Sequence, residues 1–231
     1  MQLELHPIQA KILTKLLFYP ICRFTDLNVD GIDSDRFNFH IKRLIELNVI
    51  TKTDQGLYDL TTSGKELANR FDTDTHEIER QAKVAILIVG ILIQDNIKRH
   101  LIQKRLKQPY YGYYGFVTGK IKWGETIFEA GLRELYEETA LEGDLKLVGI
   151  EHKMDYNENN KILEDKYFFI LKAENIVGEL AETFEGGENL WLTRDEIESL
   201  PDLFSDVLSI LDMIERPGID FEEIRFTVDK Y

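Results

Sequence analysis

The chain has 231 residues, 43% of them hydrophobic and 30% charged, a composition that suits two small folded domains and excludes wholesale disorder. Its formal net charge of −14 repels nucleic acid overall and suits cation binding. The longest apolar run, residues 84–93, is too short for a membrane span; the N-terminus lacks a basic start followed by an apolar run; and the single cysteine, Cys22, can form no internal disulfide. Together these predict a cytoplasmic protein with no membrane partner.

Residues 7–18 carry Ile8, Ile12, Leu13, Leu16 and Leu17 at helical spacing, and a short second helix is expected over 24–27. Asp33 or Ser34 can cap a third helix, in which Phe37, Ile41, Leu44 and Ile45 give a buried stripe at i, i+4, i+7 and i+8. Residues 49–53 and 57–60, separated by Asp54-Gln55-Gly56, read as a hairpin, and Thr61 or Thr62 can cap a last helix through Phe71. Three helices, a two-stranded wing and a final helix resemble a winged helix-turn-helix domain, placed here at 1–74. On its third helix Arg36, His40 and Arg43 fall at i, i+4 and i+7, with His40 read as exposed, and such a face can enter a major groove of DNA. Residues 1–75 hold nine basic and eleven acidic side chains, which is poor for phosphate contact. The competing expectation for this segment is a protein-interaction or homodimerisation module.

Residues 72–77 are polar and without apolar period, and a linker is placed at 75–82, with a short helical turn through Arg80. A second domain is expected over 83–231. Strands are expected at 84–93 and 97–106 about a turn at Gln94-Asp95-Asn96, a helix at 125–139, and strands at 145–154 and 166–172 with an Asn-rich loop over 155–165 between them. A short strand at 189–192, a helix at 194–200, an amphipathic helix at 202–214 and a last strand at 224–228 complete the pattern. Strands and helices mixed without βαβ regularity predict an α+β sandwich.

The chemistry is concentrated in GKIKWGETIFEAGLRELYEETAL, residues 119–141. Glu134, Glu137 and Glu138 are spaced i, i+3 and i+4, so they share one helix face. Three close carboxylates repel one another unless a cation offsets them, and an all-oxygen donor set favours Mg²⁺ or Mn²⁺. Such a metal can neutralise phosphate oxygens and lower the pKa of a bound water. Arg133 beside the cluster can fix a carboxylate by a bidentate pair. Gly119 and Gly124 permit a tight loop, and Glu125 in the first helical turn complements the helix dipole, which suits a supporting role.

This segment resembles the Nudix box: Gly119, five residues, Glu125, seven residues, then Arg133-Glu134-Leu135 and Glu137-Glu138. The resemblance implies an α/β/α sandwich with a mixed sheet and a MutT-like hydrolase acting on a nucleoside diphosphate linked to another moiety. It further implies a Gly119 carbonyl and the Glu134, Glu137 and Glu138 carboxylates on the metal, Glu134 in some members as base, and Arg133 orienting the carboxylates. Some members add a distant glutamate, for which Glu185, six residues before Trp191, is the candidate, with Glu182 and Glu188 as competitors. Two departures stand out: Ala140 replaces a glycine that ends the helix left-handed, and Val117-Thr118 replaces the usual Pro-Gly. Basic Lys104, Arg105 and Lys107 can meet phosphate, and the aromatic run 110–116, with Tyr114 and Phe116 foremost, can contact substrate. The alternative function is a nucleotide-sensing regulator whose winged helix binds DNA.

Overall fold

The computed structural model describes residues 5–28, 30–72, 80–228 and 231. The chain divides into two units, 1–80 and 81–231. The greater part of the expected linker, 75–82, and the helical turn before Arg80 lie outside the described residues. No described helix is long and apolar enough to cross a membrane.

In the first unit α1 (Pro7–Phe18), α2 (Phe24–Leu27) and α3 (Ser34–Glu46) precede a two-stranded ribbon of β1 (Ile50–Lys52) and β2 (Tyr58–Leu60), and α4 (Thr62–Ala68) follows. Asp33 caps α3 and Thr61 caps α4, each side chain accepting from a backbone N–H of the first turn. Ile12, Leu13, Leu16, Leu27, Phe37, Ile41, Leu44 and Ile50 form the buried centre. Two expectations on α3 are corrected. Ile45 is exposed, and His40 is buried, its ring 4.5 Å from that of His6. His40 lies three residues after Phe37 and four before Leu44, hence on the inward face, and burial first, then His6, pushes its imidazole pKa down. Arg36 and Arg43 are exposed, and Arg43 pairs with Glu46, so the three residues do not form one outward face.

The second unit is built on β3 (Lys83–Gln94), which pairs antiparallel with β4 (Ile97–Arg105) and β6 (Val117–Lys120) and parallel with β8 (Ile162–Val177). Asp95 and Asn96 both take positive φ in the β3–β4 turn, the geometry that tight hairpins favour. Around this centre lie β5 (Tyr114–Gly115), β7 (Glu142–Tyr156), β9 (Thr183–Phe184), β10 (Gly187–Leu192) and β11 (Asp220–Thr227). Among the described residues these nine strands make one mixed sheet, ordered β11-β7-β8-β3-β4-β10-β9, with β5 on β4 and β6 on β3.

Alternation along β3 creates two cores. Ala85, Leu87, Val89 and Ile91 face α6 (Arg194–Glu198) and α7 (Val207–Met213) through Ile197, Val207, Ile210 and Leu211. Ile86 and Ile88 face α5 (Ile127–Thr139) through Ala130 and Leu135. The result is a helix–sheet–helix sandwich.

Several boundaries differ from the sequence reading. β7 and β8 extend through most of the expected Asn-rich loop; only residues 157–161 turn, with Asn157 accepting from the backbone of Asn159 and Lys161. The helix expected at 202–214 shortens to α7, because Asp202 takes positive φ and Leu203 bridges to Tyr114. β11 begins earlier, at Asp220, and runs parallel to β7.

Candidate active site

Helix α5 starts at Ile127 because Thr126 and Glu129 form a reciprocal capping box. Glu125 therefore precedes the helix rather than sitting in its first turn. It accepts from the Lys122 N–H at 2.9 Å and receives the Arg133 guanidinium at 2.6 and 2.8 Å. The Arg133 bonds first, then the Lys122 N–H, hold its carboxyl down to about 2. Arg133 also donates to Glu134 at 2.6 Å, Glu137 at 3.2 Å and the Lys120 carbonyl at 3.1 Å. Pairing with Glu125 above all raises the Arg133 pKa further. One guanidinium thus ties the loop before the helix to two of the three glutamates.

Gly119 on β6 faces Glu134 so closely that a Cβ there would lie 2.0 Å from the Glu134 carboxyl carbon. The missing side chain is the space in which Glu134 stands. Glu138 is held otherwise: the Gln103 amide donates to it at 3.0 Å and to Asn189 at 3.0 Å. Asn189 in turn donates to the Glu138 and Ala181 carbonyls at 2.8 and 2.7 Å. Burial raises the Glu138 carboxyl pKa, with nearby Glu134 adding to the effect and Gln103 opposing it.

Gly119, Glu134 and Glu138 line one cleft of about 660 Å³. Lys83, Arg105, Lys107, Lys120, Lys122, Lys153 and Lys166 line the same cleft, together with Asp155, Glu164 and Asp206. Arg105 is fixed by bonds to the Pro109 and Gln108 carbonyls, and burial lowers its pKa. Phe116 and Phe168 add apolar wall. Among the described residues no three ligand side chains are already gathered around one point; Glu134 and Glu137 lean on Arg133 instead. The donor set nevertheless fits a hard cation. It is all oxygen, two of its carboxylates share the cleft with Gly119, and Glu137 is half exposed one turn from Glu134.

The structure does not bring every sequence candidate together. Glu185 sits exposed in the turn between β9 and β10, outside the cleft wall, which takes Phe184 and Gly186 on either side of it. Tyr114 packs against the α7-side core with Lys104 over its ring, and it is Tyr110 that lines the cleft. Ala140 adopts φ 58° and ψ 19°, so α5 ends left-handed with alanine in place of the family's glycine. The sequence reading also missed Lys153, Asp155, Glu164 and Lys166, which line the cleft from β7 and β8. For Lys153 and Asp155 a signal was present, as charges at alternate positions 151, 153 and 155 of the chain.

The family model for the NUDIX domain matches residues 85–211. The chain belongs to the Nudix family. This Nudix chain is 34% identical over 97 residues to an ADP-ribose pyrophosphatase of Methanocaldococcus jannaschii, a match covering 42% of the chain and 54% of the relative. The chain thus spans about half the length of that curated relative. The Nudix fold is shared with a MutT protein from Bacillus halodurans, at TM-score 0.54 and 23% identity over 64% of this chain and 93% of that one. It is shared equally with the NUDIX domain of Shewanella oneidensis NrtR, solved with ADP ribose, at TM-score 0.52 and 16% identity over 68% and 97% of the two chains.

Proposed function

We propose that the second unit is a metal-dependent pyrophosphohydrolase that cleaves the diphosphate linkage of a nucleoside diphosphate joined to a further moiety. The observation that carries this reading is the shared cleft, in which Gly119, Glu134 and Glu138 stand together with Lys83, Arg105, Lys107, Lys120 and Lys122. Glu134, Glu137, Glu138 and the Gly119 carbonyl would hold Mg²⁺ or Mn²⁺. When bound, the cation neutralises charge on phosphate oxygens and lowers the pKa of a water. Arg133 sets the orientation of Glu134 and Glu137, Gln103 sets that of Glu138, and the basic side chains draw the diphosphate into the cleft. Glu134, inside the cleft wall where Glu185 is not, takes the role of base.

The name of the curated relative and the ligand of the NrtR domain make ADP-ribose the first compound to assay. The first unit is read as a winged helix. DNA contact through α3 gains no support there, because His40 is inside the core and Arg43 is held by Glu46.

The test is hydrolysis by the full chain with Mg²⁺, with Mn²⁺ and with chelator. The panel is ADP-ribose, nucleoside-diphosphate sugars, dinucleoside polyphosphates and nucleoside triphosphates, with products identified. Metal-dependent release of two phosphorylated products is expected, falling by at least about tenfold in Glu138→Gln. No such release from any compound would sink the proposal.

A further inference from the structure

We infer that the end of this cleft formed by β7 and β8 is a hydroxyl-binding subsite, in which the Asp155 carboxylate takes an O–H from a sugar attached to the diphosphate. The inference deepens the reading of the cleft as a diphosphate site and rests on it.

The first observation is an unfilled acceptor. Asp155 is only 3% exposed and lines the cleft. Its Oδ2 accepts from the Tyr110 hydroxyl at 2.6 Å, while its Oδ1 has no hydrogen-bond partner among the described residues. Buried carboxylate oxygens are rarely left so, because a desolvated acceptor without a donor is costly. The neighbouring ammonium groups hold other carboxylates and do not reach this oxygen. Lys153 donates to Asp206 at 2.8 Å and lies over the Phe204 and Phe226 rings, and Lys166 is 3.4 Å from Glu164. Tyr110 is wedged edge-on against Tyr113, Phe204 and Tyr231, so its bond to Oδ2 aims Asp155.

The second observation is independent and comes from the register. Lys153 lies directly opposite Lys166, which itself stands beside Lys83, and Asp155 lies opposite Glu164. Like charges in directly opposed positions weaken a sheet. Here they stand in alternating rows, ammonium beside carboxylate, on the wall of a cleft. A local rule broken on such a wall marks a site selected for binding rather than for folding.

The chemistry selects the ligand group. A phosphate at this end would meet Asp155, Glu164 and Asp206, all lining the same cleft. An ammonium group would meet Lys83, Lys153 and Lys166. A hydroxyl donates and accepts at one atom, so it satisfies Asp155 Oδ1 and a neighbouring ammonium together. The C–H face of a sugar also suits the adjoining Phe116 and Phe168 surface.

The test is calorimetric binding to the full chain in chelator, so that affinity is read without turnover. One arm compares ADP-ribose with the ethyl ester of ADP, which keeps the diphosphate ester and drops the terminal sugar. The other compares ADP-ribose with its 2′,3′-dideoxyadenosine form. A loss of about tenfold or more is expected in one arm, and Asp155→Asn should weaken ADP-ribose by about ten- to hundredfold while erasing that difference. Equal affinities in both arms on the wild-type chain overturn the inference without reference to any variant. So does an Asp155→Asn chain whose preference changes among ADP-, GDP- and CDP-ribose with the sugar effect intact, which would mean a nucleobase subsite. Hydroxyl-dependent binding with no metal-dependent hydrolysis would sink the hydrolase reading and leave the subsite standing. Hydrolysis indifferent to the hydroxyls would do the reverse.

Discussion

Replacing Gly119 by alanine separates catalysis from folding. The added Cβ would lie 2.0, 2.1 and 2.2 Å from the Cδ, Cγ and Oε1 of Glu134. Ordinary contact between such atoms begins near about 3.5 Å, so the Glu134 carboxylate must retreat by about 1.5 Å. The obstructed group is the end of a side chain rather than backbone, so it can swing away. The retreat loosens its 2.6 Å pair with Arg133, a half-buried contact whose side chains are 17% and 14% exposed, a loss of about 1 kcal/mol because the freed carboxylate turns into the open cleft. Arg133 keeps its bonds to Glu125. A displacement of about 1 Å in a reacting group lowers rate by about 100-fold. The expected outcome is therefore a fall of about 100-fold in kcat for the best substrate of the panel, while the melting midpoint moves by less than about 3 °C. Steady-state kinetics and a thermal melt on the same preparation measure both. A Gly119→Ala chain with kcat within about threefold of wild type would refute the claim that Glu134 acts from the space beside Gly119.

Two further outcomes concern stability. Ala140 is exposed and held at φ 58°, so Ala140→Gly relieves left-handed strain of about 1–2 kcal/mol and gives back part of that through a more flexible unfolded chain; the melting midpoint should rise by about 2 °C with activity unchanged. His100 is buried, and burial first, then Lys98 and Arg194 against Glu215, push its pKa from 6.5 down to about 4. The unfolded chain binds this proton more readily, so stability is full above pH 6.5 and falls as pH drops toward 4, by up to about 3 kcal/mol. His100→Leu should flatten denaturant-measured stability across that window; an unchanged slope would count against the assignment.

The sandwich was legible because its strands and helices keep strict apolar periods. The residues 84–93 run became a two-faced central strand, and Glu134, Glu137 and Glu138 at i, i+3 and i+4 landed on α5 as their spacing requires. The helix start was misplaced because Thr126 and Glu129 cap it after Glu125, a competition that periodicity does not reveal. Asp155 and Glu164 were hidden for another reason. Charged residues look like loop in a hydropathy pattern, and only the register of β7 on β8 turns them inward, one opposite the other. His40 was misread because a polar residue can complete a buried stripe when a second ring, here His6, covers it.

The amide relay through Gln103 and Asn189 has a consequence for how the cleft can adapt. It joins the last turn of α5 to β4, β10 and the segment at Ala181, so a shift of Glu138 would disturb a connected set of buried and part-buried hydrogen bonds. Glu138 is therefore a fixed point of the cleft wall. Lys153, Asp155, Glu164 and Lys166 of β7 and β8 also line the cleft, and beyond them the ribbon closes on a five-residue turn, 157–161. Changes in that ribbon should redirect which compounds are taken while leaving the bond-breaking machinery in register.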